Sequence, residues 1–466
     1  MTVTDLAGLA QVEANAPGAQ VPVRFVQGDF GAGTTDMNGT LELRGRSTRL
    51  ALQKSYKIHL GKDVASWQGQ REINLNKHPF DLTRVRNRLA FDLFRDVPHF
   101  TSLRTHFVHL RINGEDRGLF TWVEEPDKHF LEHHGLDPDG TLYKAETFTF
   151  WPLTADVEND PVKLNLLIEA KANPDPDKLL RMLHAVNAPN RNINDVVAKY
   201  FDRDNYITWL AVNMLVGNFD TRGSNFYLYS PKGCDTWYFL PWDYDGSFGY
   251  YEQPGNPPRP RWRAGLANWW DSGLHQPFLA DKQNLHDLEA MMAGLRATAL
   301  SDAKVATLLA SYRDVVRPYV AMPPDLWNLP VLPGTDPMES MPQYDEEYAR
   351  LSGVVRGFEA EYAAVKERPM PVVLNAPMRG ADLLFWWWPS YDFQGDPLTY
   401  DLELSTTPDF SDGTLVMQQT GMSGTMLHVP TPPPGEYFWH VISRDGKNPA
   451  QNWQISYVDS QMLEVD

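Results

Sequence analysis

Between residues 21 and 124 apolar and polar positions alternate in short runs, Val21 to Val26, Thr40 to Arg44, Gln53 to Leu60, His106 to Ile112 and Gly118 to Glu124, separated by turn residues. A period of two puts successive side chains on opposite faces, so these runs predict paired antiparallel strands with one face in a core. One helix interrupts them: Asp81-Leu82-Thr83 can cap a segment from about Arg84 to Arg95, where Val85, Leu89, Leu93 and Phe94 recur at helical spacing. From Pro161 the period lengthens. Pro176 to Asn187, Ile193 to Tyr200, Asp204 to Val216, Leu285 to Leu300, Asp302 to Val316 and Asp345 to Glu367 each carry one apolar face and predict helices. Two strands, Asn225 to Tyr229 and Trp237 to Leu240, flank a turn at Ser230-Pro231-Lys232-Gly233 and predict a hairpin within this helical part.

After Arg368-Pro369-Met370-Pro371 the pattern shifts to short strands at regular spacing: Leu383 to Trp387, Leu398 to Ser405, Leu415 to Gln419, Met426 to Val429, Glu436 to Ser443 and Trp453 to Asp459. That is the pattern of a small β-sandwich. Its Trp386 region, Tyr400–Leu404 strand and Gly435–Val441 strand resemble a fibronectin type III module, a kind of unit that binds or spaces more often than it catalyses. The fold class expected is therefore α+β, a β-rich lobe (about 21–150) and a mainly helical lobe (about 151–367) forming one domain over 21–367. An N-terminal extension (1–20) precedes it and an all-β sandwich (372–466) follows.

With 466 residues the chain exceeds one ordinary core. Its formal net charge of −18 excludes a general nucleic-acid binder, which needs clustered cations, and suits a basic protein partner. The local exception, Arg259-Pro260-Arg261-Trp262-Arg263, reads as a solvated loop, with an anion contact as the alternative. Cys234 is single, so no internal disulfide forms. No apolar run spans a bilayer, and Met1 to Gln20 lack the pattern of a signal peptide.

The candidate chemistry sits at the hairpin. Asp220 is followed five positions on by Asn225, and Pro241-Trp242-Asp243-Tyr244-Asp245-Gly246 closes the second strand. An Asp, an Asn five residues later and a second Asp at a strand's end is how protein kinases place a base and two metal ligands around a nucleotide, which makes phosphoryl transfer the leading expectation. Asn225 offers a neutral carbonyl oxygen, and Asp243, with Asp245 beside it, offers carboxylate, a hard-oxygen set suited to Mg²⁺ or Mn²⁺. Asp220 can accept the proton of an incoming hydroxyl. The bland alternative is a turn, since Asp, Asn, Gly and Ser are turn formers; two acids flanked by Trp and Tyr at a strand's end are costly to bury without a ligand and favour the site.

A cation for the phosphates is sought in Gln53-Lys54-Ser55-Tyr56-Lys57-Ile58. Lys54 shares a face with Tyr56, Ile58 and Leu60 and is expected to point inward, with Lys57 as second candidate; an edge-strand lysine is the alternative. Glu124, in phase with Phe120 and Trp122, can pair with an inward lysine or stand at the surface. The turn Arg44-Gly45-Arg46-Ser47-Thr48-Arg49 can cover phosphates with backbone N–H groups, making Arg44 and Ser47 candidates. Gly28-Asp29-Phe30-Gly31-Ala32-Gly33 reads as an ordinary loop.

Together these segments, with Trp67 to Asn76, Gly118 to Glu124, Asp127 to Leu131 and Leu142-Tyr143-Lys144, resemble in order the landmarks of the CotH kinase family, the spore coat protein H proteins, over most of residues 21–367. The resemblance implies an atypical kinase fold that uses ATP and divalent metal to phosphorylate Ser or Thr on a protein, expected to be basic and Ser-rich. It carries the catalytic role to Asp220, metal binding to Asp243 and Asn225, and the phosphate pair to Lys54 and Glu124. Asn218-Phe219 replaces the His-Arg that precedes the catalytic Asp of ordinary kinases, and Asp-Tyr-Asp-Gly replaces Asp-Phe-Gly. Transfer of AMP or an amino acid on the same fold, and an inactive scaffold with a protein- or carbohydrate-binding sandwich, remain alternatives. A cell-envelope, spore-coat or extracellular site is a family association, with the cytoplasm as the other option.

Overall fold

The computed structural model describes residues 1–28, 37–322, 325, 341–380 and 382–465. Most of the Gly28–Gly33 loop lies outside them.

The first lobe is a six-stranded antiparallel sheet in the order Val21–Val23, Gly39–Leu43, Tyr56–Leu60, Glu72–Asn76, Glu115–Val123, Thr105–Ile112. One face supplies Leu41, Tyr56, Ile58, Ile73, Leu75, Phe120 and Trp122 to a core. Residues 1–20 are part of this lobe, not an extension to it. Asp5 caps a helix over Leu6–Glu13 that buries Leu9 and Val12 in the same core as Met1 and Val3, and Tyr56 donates to Glu13 across 3.0 Å. The strand Glu72–Asn76 was not among the predicted strands although Ile73 and Leu75 alternate with polar residues; its middle residue, Asn74, is polar yet fully buried, its amide donating to Glu125.

The second lobe has its own four-stranded sheet, Tyr238–Pro241, Phe226–Ser230, Thr141–Ala145, Ile168–Ala172, surrounded by helices. Because Thr141–Ala145 pairs with Phe226–Ser230, the β-rich lobe ends before residue 141 and not near 150. The helices predicted from apolar spacing occur at Arg86–Phe94, Pro176–Val186, Ile193–Tyr200, Arg203–Val216, Lys282–Ala297 and Asp302–Val320. The segment expected as one helix from Asp345 is two, Met341–Arg350 and Val354–Lys366, separated by a 3₁₀ turn at Leu351–Gly353.

Helix Arg203–Val216 aims at the site. Asp202 caps it, accepting from the Asn205 N–H across 2.9 Å, and Gly217 ends it in the left-handed region at φ 62°. A Cβ on Gly217 would meet the Phe358 ring at 2.3 Å, so only glycine fits. Asp202→Ala is expected to cost about 0.5–2 kcal/mol of stability through the lost cap, read from the midpoint of urea unfolding.

Residues beyond 372 form two packed antiparallel sheets. One holds Leu374–Arg379, Asp382–Trp387 and Met426–Pro430; the other holds Leu415–Met422, Leu398–Ser405, Gly435–Asp445, Trp453–Ile455 and Gln461–Val465. Phe385, Trp387, Leu402, Leu404, Trp439 and Val441 fill the space between. The first of these strands went unseen because no residue of it is buried, and the last, with Leu463 and Val465 buried, because it is only five residues long. The sandwich docks on the helical lobe: Trp270 packs on Tyr391 and Phe393, and the Tyr457 hydroxyl accepts from the Asp271 N–H across 2.8 Å.

Candidate functional site

The hairpin register brings the acids together. Pro241 stands opposite Phe226, so the next residue outward on each strand, Asn225 and Trp242, lie at the same end, with Asp243 one further. Asn225 (φ 59°) and Asp243 (φ 55°) are both left-handed, a conformation Asn and Asp tolerate better than other side-chain-bearing residues. Asp220 lies in a 3₁₀ turn, Phe219–Thr221, directly after the Gly217 cap. The turn is pinned by Thr221 Oγ1 donating to Asn218 O (2.7 Å), Ser224 Oγ to Asp220 O (2.9 Å) and Asn268 to Phe219 O (3.1 Å).

Asp220, Asn225, Asp243 and Asp245 all line one cavity of about 910 Å³ between the lobes. The metal-candidate loop is braced from the first lobe: the Tyr244 N–H donates to Asn87 (2.9 Å), and Asp245 meets His78 Nδ1 at 3.1 Å. His78 is buried and left-handed (φ 49°), its carbonyl held by Arg84 (2.6 Å). It went unnoticed because its neighbours in sequence carry no recognisable spacing. Asp243 has no hydrogen bond or ion pair among the described residues.

Across the cavity the sheet of the first lobe presents the face opposite its core. The strand starts at Tyr56, so Lys57 and His59 share the cavity side while Tyr56, Ile58 and Leu60 are buried beneath. Lys57, not Lys54, enters the cavity; it is paired with Glu72 and lies 3.6 Å from Glu125. Lys54 precedes the strand and donates to Arg49 O across 2.9 Å, tying down the turn. The Glu124 expectation shifts in the same way. Glu124 is fully buried away from the cavity, bonded to Arg104 (2.7 Å) and His134 (2.9 Å), whereas Glu125 lines it. The lysine–glutamate pair facing the cavity is thus Lys57–Glu125.

Arg44 and Ser47 line the cavity from the turn. Gly45 (φ 93°) permits the bend; a Cβ there would strike Thr48 Oγ1 at 1.8 Å. Arg44 lies over the Trp242 ring at 5.9 Å, and its buried Nη1 has no hydrogen-bond partner. Burial pulls the Arg44 pKa down, opposed by the charges of Glu125 and Asp243. An unpaired buried guanidinium nitrogen is expensive unless an anion completes it. Two further lysines, Lys144 and Lys171, line the cavity from strands Thr141–Ala145 and Ile168–Ala172, neither of which the alternation test detected.

The sequence model described as CotH kinase protein matches residues 41–357, more than half of the chain. The chain belongs to the CotH kinase protein family. A curated relative, the inner spore coat protein H of Bacillus subtilis (strain 168), is 29% identical over 210 residues, covering 44% of this chain and 58% of that protein, so the match spans little more than half of the relative's length. Among solved structures, the Helicobacter pylori proinflammatory kinase CtkA aligns over 72% of this chain and 94% of its own at 10% identity, with a TM-score of 0.27.

The donor set of this CotH chain fits a hard divalent cation. Burial, and after it the neighbouring Asp245, push the Asp243 carboxyl up to about 7, with only partial relief from His78, Arg44 and Lys144. A carboxyl held protonated for want of a counter-charge is what an Mg²⁺ ion would discharge, with Asn225 and Asp245 as companion oxygens. The sign follows: the cation must displace a proton from Asp243, so affinity rises with pH up to about 7. Mg²⁺ binding in the absence of nucleotide is expected to weaken about threefold from pH 7.5 to 6.5, measured by titration calorimetry.

Proposed function

We propose that this chain transfers the γ-phosphate of ATP to a Ser or Thr hydroxyl of a protein, with Mg²⁺ or Mn²⁺ bound by Asp243, Asn225 and Asp245. The observation that carries the reading is one cavity with two chemically distinct walls. Acids and an amide gather at the hairpin end, with Lys144 on the neighbouring strand, while Arg44, Lys57 and the Gly45 turn line the other side together with Glu125. That division suits a triphosphate: cations hold its non-transferred oxygens, and hard oxygens hold the metal that screens the transferring group.

The protein's own part is positioning. Arg44 and Lys57 stand on the wall that would face phosphate oxygens, Glu72 and Glu125 hold Lys57, and Ser47 with the turn backbone closes over the chain of phosphates. The acceptor oxygen bonds to the γ-phosphorus as the bond to the bridging oxygen breaks, ADP leaves, and the hydroxyl proton passes to Asp220. The metal, when bound, supplies charge neutralisation of the phosphates. The net charge of −18 favours a basic acceptor, and the spore coat relative suggests a coat or envelope protein as partner.

Intact-mass measurement after incubation with ATP and Mg²⁺, with and without a basic Ser-rich peptide, tests the reading. Addition of one phosphate (about 80 Da) per transfer to the chain or the peptide is expected. An AMP adduct, or no adduct with either metal, replaces the proposal with nucleotidyl transfer or with a binding role.

A further inference from the structure

The basic segment Arg259–Arg263 is not a solvated loop. Its three arginines point to three different places. Arg259 stacks over Phe219 at 4.3 Å and pairs with Glu252 and Glu361 of the helical lobe. Arg261 lies over Trp453 of the sandwich at 4.0 Å and donates to the Trp453 carbonyl across 3.0 Å. Arg263 pairs with the carboxylate of Asp220. Between them Trp262 packs edge-on to Tyr457 of the sandwich at 5.4 Å. The segment is internally tied as well, by the Arg263 N–H donating to Pro260 O (2.9 Å) and Arg259 donating to Arg263 O.

The two oxygens of Asp220 are treated unequally. Arg263 and the Tyr251 hydroxyl (2.6 Å) both donate to Oδ1. Oδ2 carries no hydrogen bond among the described residues and faces Gly246, where an added Cβ would stand 2.9 Å from it. Gly246 belongs to the cavity wall beside Asp243 and Asp245. One oxygen is saturated and the other is held toward the cavity. A carboxylate fixed in this way cannot rotate, which is what a proton acceptor needs if it is to meet a hydroxyl at one angle.

Resting on the phosphotransfer reading above, we propose that Arg263 and Tyr251 are positioning residues that orient Asp220 Oδ2 toward the acceptor hydroxyl, and that the C-terminal sandwich holds Arg263 in place through Arg261 and Trp262. The sandwich is then a working part of the catalytic unit as well as any binding module. The electrostatic logic agrees: Arg263 compensates the Asp220 charge without occupying the oxygen that takes the proton.

The test uses full-length variants. Arg263→Ala is expected to lower kcat for phosphate transfer by about 10–100-fold, the cost of a misoriented group, with the KM for ATP changed by less than about threefold. Arg263→Lys should recover part of the rate, and Tyr251→Phe, which keeps the ring, should lose several-fold. Arg261→Ala, remote from the cavity, should lower kcat in the same direction and raise deuterium uptake in the peptide spanning 218–225. Should Arg263→Ala fail to show a melting transition, the Lys and Phe variants decide. Wild-type kcat in the Arg263 and Tyr251 variants overturns the orientation of Asp220, and unchanged uptake at 218–225 in Arg261→Ala overturns the role of the sandwich. A wild-type chain that moves no phosphate counts against the activity alone, since the exchange measurement still reads the coupling.

Discussion

Asp220→Asn is expected to lower phosphate transfer by about 10²–10⁴-fold while leaving the affinity for Mg²⁺–ATP within a few-fold of wild type. The substitution is nearly isosteric, so the 3₁₀ turn at Phe219–Thr221, which is held by backbone and neighbouring side chains and not by the Asp220 carboxylate, has no reason to move. What changes is chemistry at one atom. If the amide oxygen stays with Arg263 and Tyr251, the nitrogen replaces Oδ2 and presents N–H donors where a proton must be accepted. Nucleotide affinity should survive because Lys57, Arg44 and the metal ligands are untouched. Single-turnover transfer and equilibrium nucleotide binding, measured on the same preparation, separate the two. Full activity would remove Asp220 from the proton-accepting role, and loss of binding together with activity would make it a metal or nucleotide ligand.

How far the sequence exposed this site depended on whether a residue's role was set locally. The hairpin was legible because its turn residues and strand ends lie within about two dozen positions, and the pairing of Pro241 with Phe226 then forces Asn225 and Asp243 to one end. Helix Arg203–Val216 was legible from its Asp cap and Gly stop, which are local signals too. The opposite wall was not. Alternation correctly separates Tyr56, Ile58 and Leu60 from Lys57 and His59, but a sheet has two faces, and only tertiary structure says which one meets the cavity. Here the apolar face is taken by the helix Leu6–Glu13 and the lobe's core, so the face that reads as surface in the sequence lines the site. The same ambiguity misplaced Glu124. The chain leaves its strand at Val123, after which strand phase no longer governs direction, and it is Glu125 that turns to the cavity. His78 was invisible for a different reason: it reaches the site from far away in sequence, where no spacing rule operates. Arg263 stood out only as part of a basic segment, read as a solvated loop with an anion contact as the alternative, and no spacing rule ties it to Asp220.

Lys57 and Lys54 give the sharpest test of that correction. Lys57→Met should reduce the transfer rate or the affinity for Mg²⁺–ATP by about 10–100-fold, since a charge-assisted hydrogen bond to an anionic oxygen contributes roughly 1.5–3 kcal/mol. Methionine keeps the length and much of the volume of the stem, so the loss reports on the ammonium group. Part of the effect will come through Glu125 and Glu72, whose charges lose their partner when the ammonium goes. Lys57→Met with Glu125→Gln therefore separates the two contributions. If Lys57 contacts phosphate directly, the double variant stays as impaired as the single one; if its task is only to neutralise the glutamates, removing the charge at Glu125 restores part of the activity. Lys54→Met should behave otherwise. Its ammonium bonds the Arg49 carbonyl and does not reach the cavity, so binding and turnover are expected within about threefold of wild type, with at most a small loss of stability from the loosened Arg44–Arg49 turn. A reversed pattern, with Lys54→Met inactive and Lys57→Met normal, would require the strand to pair with its register shifted by one residue, which the burial of Ile58 between Leu41 and Ile73 opposes.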